Sequence, residues 1–264
     1  MSLSKPSKPS KPPESKSPLP LPCMLHQTRG IVFHTIPYSD SRIIARIYTE
    51  QFGLRSYIVS SSRSKTGKVR SRLLQPLMHL DLIVQQREKN TLHTIKELNC
   101  HAPYHHLHED IIKTTIGLFV AEVLHKAVRE EEADQPLYDF LSNSLQVLDL
   151  TTEGVANFHL AFLMQLTRYL GFFPQTNDYG SASIFDLRDG VFRPSIPDHP
   201  LFADVAESRL IELLRELPFA ALHELKLNAE QRRLLLVYLL RYYELHLSNM
   251  KDIRSHQVLS EVLG

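Results

Sequence analysis

The sequence is poor in the residues on which several common classes of site depend. Its 264 residues include only two cysteines, Cys23 and Cys100, which excludes a disulfide scaffold and a four-thiolate zinc site within one chain. Nine glycines leave little material for phosphate-binding loops, and the lack of tryptophan leaves any base stacking to ten Tyr and twelve Phe. The longest apolar run, residues 234–240, is far shorter than the roughly 18 residues of a membrane span.

The charges that are present are unevenly distributed along the chain. The formal net charge is +1. Residues 24–103 nevertheless carry twelve Lys and Arg against five Asp and Glu, whereas residues 104–170 carry four against ten. A basic block followed by an acidic block indicates a polyanion-binding module joined to a module with another role.

The first 22 residues are almost wholly Ser, Pro and Lys around a few leucines, with seven prolines. Such a segment buries too little apolar surface to offset its ordering entropy, so we expect disorder. It has no continuous apolar stretch, which argues against a secretory signal. Met24 follows directly, so residues 1–23 are either the product of an upstream translation start or a flexible extension.

The next segment has the pattern of β-structure. Short β-branched runs predict strands at residues 30–36, 42–49, 53–60 and 91–98, and residues 73–85 alternate with a period of two. In that alternation Met78, Leu80, Leu82 and Val84 share one face. Five short strands in roughly 75 residues favour a closed barrel of the OB type, with a small sandwich or an SH3-like barrel as the alternatives.

After Cys100 the spacing becomes helical. It predicts helices from about Ile112 and at residues 136–148, 157–170, 204–217 and 228–247. Pro136 lies at the start of the second helix, and Asn228 with Gln231 has the spacing of an N-terminal capping pair. Residues 184–193 predict a small hairpin within an irregular stretch. The predicted fold class is therefore α+β and multidomain: an OB barrel, then an all-α domain with a hairpin insert.

Motifs of catalysis are absent from the sequence. Gly67-Lys68 fails the phosphate-loop pattern because Ser62 and Val69 stand where Gly and Ser or Thr are needed. One segment is a candidate metal site, because it holds several side chains that can bind zinc. They are Cys100, His101, His105, His106, His108, Glu109 and Asp110. We favour the interpretation that this segment is a polar linker. We therefore predict no catalytic residue, no metal and no cofactor.

One loop has the composition of a nucleic-acid contact. Residues 60–72 contain no acidic side chain and predict DNA contacts at Arg63, Lys65, Lys68, Arg70 and Arg72. Arg42 is added with less support, because Arg29, Arg42, Arg46 and Arg55 lie on barrel strands where one or two could pair with Asp40 or Glu50. Tyr38, Tyr48 and Tyr57 have rings for base stacking, but a barrel Tyr more often packs.

Several phrases in a fixed order resemble the RecO family of bacterial DNA-repair and recombination-mediator proteins. They are GIVFHT at 30–35 with PYSD at 37–40, IYTEQFG at 47–53, the basic loop running into LQPL at 74–77, FVAEVL at 119–124 and LMQLTRYLGF at 163–172. The family's usual N-terminus aligns near Met24. The resemblance implies an OB-fold DNA-binding domain at 24–103 and a helical domain at 104–264 with an insert at 171–203. Many members hold zinc in that insert, but this chain has no cysteine after Cys100.

The resemblance also implies a function without catalysis. Such a protein would bind single- and double-stranded DNA, anneal complementary strands and assist recombinase loading on strands coated by single-strand-binding protein. The implied partners are RecR at the barrel and the acidic C-terminal tail of single-strand-binding protein at the helical domain, in the cytoplasm near the nucleoid, with no membrane. By elimination among basic side chains, the tail would meet Lys126, Arg129 and Arg168, although simple surface charges explain these equally well. The competing hypotheses are a protein–protein adaptor with incidental DNA affinity and a metal-dependent nuclease.

Overall fold

A closed five-stranded barrel forms the first part of the protein. The computed structural model describes residues 24–60, 71–86, 91–129, 131–176 and 184–263. The strands are β1 (Leu25–Ser39), β2 (Arg42–Thr49), β3 (Gly53–Ser60), β4 (His79–Gln85) and β5 (Leu92–Ala102). They pair in the order β1-β2-β3-β5-β4, and β1 also pairs with β4 to close the barrel. Among the five described barrel strands, β3 and β5 form the parallel pair, which confirms the predicted OB-type fold class.

The interior of the barrel follows the predicted alternation on β4. Leu80, Leu82 and Val84 are buried inside it. The predicted start of this strand is wrong, because residues 71–73 are helical and Leu77 adopts a left-handed φ of 67° before β4 begins. His79 is also buried, since the opposite face of β4 is covered by Tyr104, whose ring centroid lies 5.7 Å away.

The outer face of the barrel packs on the helices that follow. Ile31, Phe33 and Tyr48 belong to the same hydrophobic cluster as Phe119 and Val120 of the first helix. A single continuous core therefore joins the barrel to the helical region.

The helical region contains five of the predicted helices and one that the sequence analysis missed. Asn228 and Gln231 form the predicted reciprocal capping box, and Pro136 lies in the first turn of its helix. The missed helix is the last one, and two short 3-10 turns at Val155–Asn157 and Phe219–Ala221 were also not predicted. The helices are α1 (Ile111–Ala127), α2 (Gln135–Leu150), α3 (Phe158–Tyr169), α4 (Val205–Glu216), α5 (Ala229–His246) and α6 (Ser255–Val262). Among the described residues, none of these helices combines the length and the apolar character that crossing a membrane requires.

The insert is a small antiparallel sheet organised by one buried carboxylate. The predicted hairpin is present as β6 (Ile184–Asp186) and β7 (Val191–Arg193), and a third strand, β8 (Phe202–Ala203), adds to its edge. Asp186 is fully buried and accepts hydrogen bonds from the Arg193 guanidinium at 2.8 Å and from the backbone N–H groups of Arg188 and Asp189 at 3.0 and 3.1 Å. Polar contacts around Asp186 thus organise the turn.

Candidate nucleic-acid interface

The predicted DNA-binding residues that are described lie on the surface. Arg42 is exposed at the start of β2 and pairs in register with Ser39 on one side and Ser60 on the other. Arg72 is exposed within the helical turn at 71–73. Because β3 ends at Ser60, Arg42 stands at the end of the barrel where the basic segment begins. The other predicted contacts, Arg63, Lys65, Lys68 and Arg70, lie outside the described residues.

The three barrel tyrosines have different surroundings. Tyr48 and Tyr57 are completely buried, as the packing interpretation expects, and so cannot stack on bases. Tyr38 is 60% exposed, and Ile36 two residues earlier is 48% exposed. The exposed ring of Tyr38 lies on the β1–β2 hairpin with Arg42, so an apolar surface and a cation are presented together.

Two of the four barrel arginines are occupied by ion pairs. Arg29 forms a two-pronged pair with Glu50, from Nε at 2.8 Å and from Nη2 at 2.5 Å. Arg29 holds the pKa of Glu50 below its usual range by this hydrogen bonding. Arg55 lies 3.5 Å from Glu131. The prediction that one or two arginines pair with Asp40 or Glu50 is confirmed by Arg29, and within the described part of the chain Arg42 and Arg46 have no carboxylate at ion-pair distance.

The residues of the candidate metal cluster make other contacts. His101 Nδ1 lies 3.0 Å from Asp81 Oδ1. The backbone N–H groups of His105 and His106 donate to the buried carboxylate of Asp149 at 2.9 and 2.8 Å. In the described ranges, no three His, Cys, Asp or Glu side chains are placed to hold a metal ion.

The three predicted tail-binding residues do not share a site. Lys126, near the end of α1, lies 3.8 Å from Glu122 and donates to the carbonyl of Lys251. Arg129 is exposed just beyond α1. Arg168 is exposed on α3, and its guanidinium stands 3.6 Å from the ring centroid of Phe173.

Arg168 borders an aromatic groove between α2, α3 and the end of α4. The groove has a volume of about 370 Å³, and Arg168 and Arg215 line it together with Phe140 and Phe219. A second hollow of about 390 Å³ continues from the same two phenylalanines toward Tyr169, whose ring stacks on Phe140 at 4.6 Å. We call this continuous surface the aromatic groove. Sequence analysis missed Arg215, because it comes from a helix distant in sequence and alternates with glutamates there.

The two halves of the chain each match a family model. Residues 24–104 match the model described as Recombination protein O N terminal, and residues 108–254 match Recombination protein O C terminal. Three proteins named DNA repair protein RecO are similar over nearly their whole length. The protein from Phocaeicola vulgatus is 36% identical over 91% of this chain and 100% of its own. Those from Bacteroides fragilis and Christiangramia forsetii are 36% and 35% identical, over 90% and 91% of this chain and 99% and 100% of theirs. The chain belongs to the Recombination protein O family.

Proposed function

We propose that this protein is a non-enzymatic DNA repair mediator that binds DNA at its barrel and anneals complementary strands. A role in DNA repair rests on the family and on the names of its relatives. One observation supports the DNA contact. The exposed ring of Tyr38 and the side chain of Arg42 lie at the end of the barrel from which the cationic segment 61–72 continues.

Annealing by such a surface needs no catalytic group. Two strands repel each other through their phosphates, so a protein that neutralises both chains favours their encounter. Arginine and lysine contacts release condensed counterions, and the binding therefore weakens steeply as salt rises. Exposed aromatic and apolar side chains hold unpaired bases by stacking, which keeps a strand available for pairing.

Annealing of complementary oligonucleotides across a salt series tests this function. Replacing Arg63, Lys65, Lys68, Arg70 and Arg72 by Ala is expected to abolish most of the annealing and to flatten the salt dependence of DNA binding. The matched control removes five exposed cations of the helical region: Arg209, Lys226, Arg233, Arg241 and Lys251. If both variants anneal as well as the wild type, the annealing mechanism is wrong, and the adaptor hypothesis gains support.

The aromatic groove supports the finer proposal that the protein acts on strands coated by single-strand-binding protein. An acidic tail that ends in an aromatic residue needs an apolar pocket with cations at its edge. Phe140 and Phe219 supply the first, and Arg168 supplies the second, with Arg215 beside it in an ion pair with Glu216. Docking of this tail would bring the annealing surface to coated strands and assist recombinase loading on them. RecR is the partner that we propose at the barrel.

Binding of a fluorescently labelled tail peptide separates the predicted contacts. Arg168→Ala is expected to reduce the affinity for the peptide at least fivefold, because a charge-assisted contact contributes about 1 kcal/mol or more to binding. Lys126→Ala removes an equal charge outside the groove and is expected to leave the affinity unchanged. The opposite order of effects would place the tail at the end of α1 and overturn the assignment to the groove.

A further inference from the structure

Two apolar side chains lie on the outward face of α5. The longest apolar run of the chain, residues 234–240, falls within this helix. Part of the run turns inward, where Leu235 and Leu239 are buried in the core. Because the run covers almost two helical turns, it also reaches the side that faces away from the core. Leu234 and Val237 lie on that side and are 40% and 55% exposed, where a surface helix usually carries polar residues.

A charged residue flanks this apolar pair at each end. Glu230 and Arg241 are exposed, and the four side chains recur at intervals of four, three and four residues. At 3.6 residues per turn, they fall within about 60° of one another around the helix. We call Glu230, Leu234, Val237 and Arg241 the outer stripe. Alternation of four and three is the spacing at which two helices pack side by side in a coiled coil, so the outer stripe has the pattern of a helix-pairing surface.

The order of residues in the outer stripe is complementary to itself. When two copies of α5 lie antiparallel with Leu234 of one opposite Val237 of the other, Glu230 of each copy comes opposite Arg241 of the other. One register therefore joins the apolar side chains and also makes two pairs of opposite charge. A parallel arrangement would instead set Glu230 against Glu230 and Arg241 against Arg241, which is repulsive. The charges thus select an antiparallel pair related by a two-fold axis.

Arg241 has hydrogen-bond donors to spare for a second carboxylate. Its Nη1 donates to Glu244 Oε2 at 2.9 Å, and the arginine side chain is 52% exposed. A guanidinium has five N–H donors, so those that Glu244 does not use are free for Glu230 of a second copy. In the same register Arg233, beside the outer stripe, comes near Leu240 of the other copy. Its aliphatic stem adds apolar contact there without meeting a like charge.

We propose that the outer stripe joins two copies of this chain in an antiparallel, two-fold dimer. This inference goes beyond the proposed function and does not depend on it, because the proposed DNA contacts lie on the barrel. From Glu230 to Arg241 the stripe spans about 16 Å of helix, which is short for a standard interface. The dimer is therefore expected to be reversible, with a dissociation constant of about 10 µM.

Sedimentation equilibrium of the full chain between about 1 and 200 µM tests the dimer. Glu230→Arg and Arg241→Glu, each alone, set like charges opposite each other at both ends of the stripe, and each is expected to weaken the dimer at least about tenfold. The two changes in one chain restore opposite charges and are expected to restore wild-type association. An equimolar mixture of the two single variants is expected to form a mixed dimer at least as tight as that of the wild type. A wild type that stays monomeric over the whole range overturns the proposal.

Matched variants separate this register from other modes of self-association. Glu261→Arg and Lys251→Glu reverse two exposed charges in and before α6, and both are expected to associate like the wild type. Parallel pairing, or pairing through another face, would leave the single variants of the outer stripe as strongly associated as the wild type. That result, or a combined variant that remains as weak as the single ones, would overturn the proposal.

The apolar centre of the stripe has its own test. Leu234→Gln with Val237→Gln is expected to make the chain monomeric up to about 200 µM while leaving the thermal unfolding midpoint within about 2–3 °C of the wild type, because both side chains already face water. A Gln variant that dimerises like the wild type would overturn the proposal. If this variant unfolds instead, the charge variants still decide, since the combined exchange of Glu230 and Arg241 keeps the apolar pair.

Discussion

The exposure of Tyr38 results from the length of one strand. β1 pairs with β4 only from Leu25 to Ile31, whereas it pairs with β2 as far as Ser39. The second half of β1 is therefore an open edge of the sheet, paired with β2 on one side and with no β4 residue on the other. Tyr57, on a strand with partners on both sides, is buried instead. The same residue type thus has opposite roles at two positions of one barrel.

Replacing Tyr38 tests whether this open edge of β1 holds unpaired bases. Tyr38→Ala is expected to weaken the binding of single-stranded DNA by about 1–3 kcal/mol, which is the usual contribution of an aromatic ring stacked on a base. Duplex affinity is expected to change little, because paired bases do not offer their faces. Fluorescence anisotropy with single- and double-stranded oligonucleotides measures both, and Tyr38→Phe serves as the control that keeps the ring. An equal loss for the two forms would contradict stacking.

A second residue, Asp149, fixes the connection between the barrel and α1. Its carboxylate accepts backbone hydrogen bonds from His105, His106 and Leu107 at 2.8–2.9 Å. Burial raises the pKa of Asp149, but these three donors outweigh it and hold the pKa below the usual value. The carboxylate therefore adds stability at neutral pH, and this contribution is lost as pH falls through its lowered pKa.

Asp149→Ala is expected to reduce the free energy of unfolding by about 2–4 kcal/mol, because it leaves three backbone N–H groups without an acceptor, that of Leu107 buried. Urea unfolding at pH 7.5 measures the loss. Glu153→Gln, which removes an exposed carboxylate nearby in sequence, is the control. A loss no larger than that of the control would mean that water satisfies the freed N–H groups.

At the scale of secondary-structure elements, the insert illustrates how a small sheet is held by side chains. The rings of Phe185 and Phe192 pack at a tilt of 41° with centroids 4.8 Å apart, and the ring of Tyr242 on α5 lies 5.2 Å from that of Phe185. Gly190 closes the turn with a φ of +68°, where an added Cβ would stand 2.7 Å from the Tyr242 hydroxyl. Aromatic packing and the Asp186 carboxylate therefore act on opposite sides of the same hairpin.

Two neighbouring carboxylates of this turn allow a matched comparison. Asp186→Ala removes the acceptor of two backbone N–H groups and of Arg193, and is expected to cost about 1–3 kcal/mol and to speed hydrogen exchange across β6 and β7. Asp189→Ala removes an exposed partner of Arg188 and Arg193 and is expected to have a much smaller effect on stability and on hydrogen exchange. Hydrogen exchange that is equally fast in both variants would refute the role given to burial.

The elements that the sequence predicted best are those with a repeated pattern. β2 and β3 match their predicted ranges, since both are alternating runs bounded by turns. α6 was missed because eight residues provide few repeats, and β8 because a two-residue strand has no pattern at all. The aromatic groove was out of reach for a different reason: Phe140, Arg168 and Arg215 meet only through the packing of three helices.

At the scale of the whole molecule, one core extends across the predicted division at residue 103. Phe33 of the barrel and Phe119 of α1 lie in the same cluster, as do Leu77 and Leu107. The two predicted domains therefore share apolar burial, and we expect them to unfold together. The division itself remains a prediction.

Buried neutral histidines are expected to make this shared core sensitive to acid. Desolvation lowers the pKa of His79 to about 4 and that of His159 to about 3. In the unfolded chain both have a pKa of about 6.5, so between pH 6.5 and 4 the unfolded state binds protons that the native state does not. The free energy of unfolding should therefore fall with decreasing pH in this window, by about 1.4 kcal/mol per pH unit for each histidine.

Replacing one of these buried histidines isolates its contribution to the pH dependence of the free energy of unfolding. His159 packs edge-on against Phe119 at 6.1 Å and stands near the charge of Arg232, so both burial and charge oppose its protonation. His159→Gln is expected to be less stable at pH 7.5 but to lose less stability between pH 7.5 and 5, as measured by urea unfolding at each pH. His223→Gln replaces an exposed histidine and is expected to keep the slope of the wild type. If the His159 variant keeps that slope as well, then His159 is already protonated in the native state, and its burial does not govern the acid sensitivity of the core.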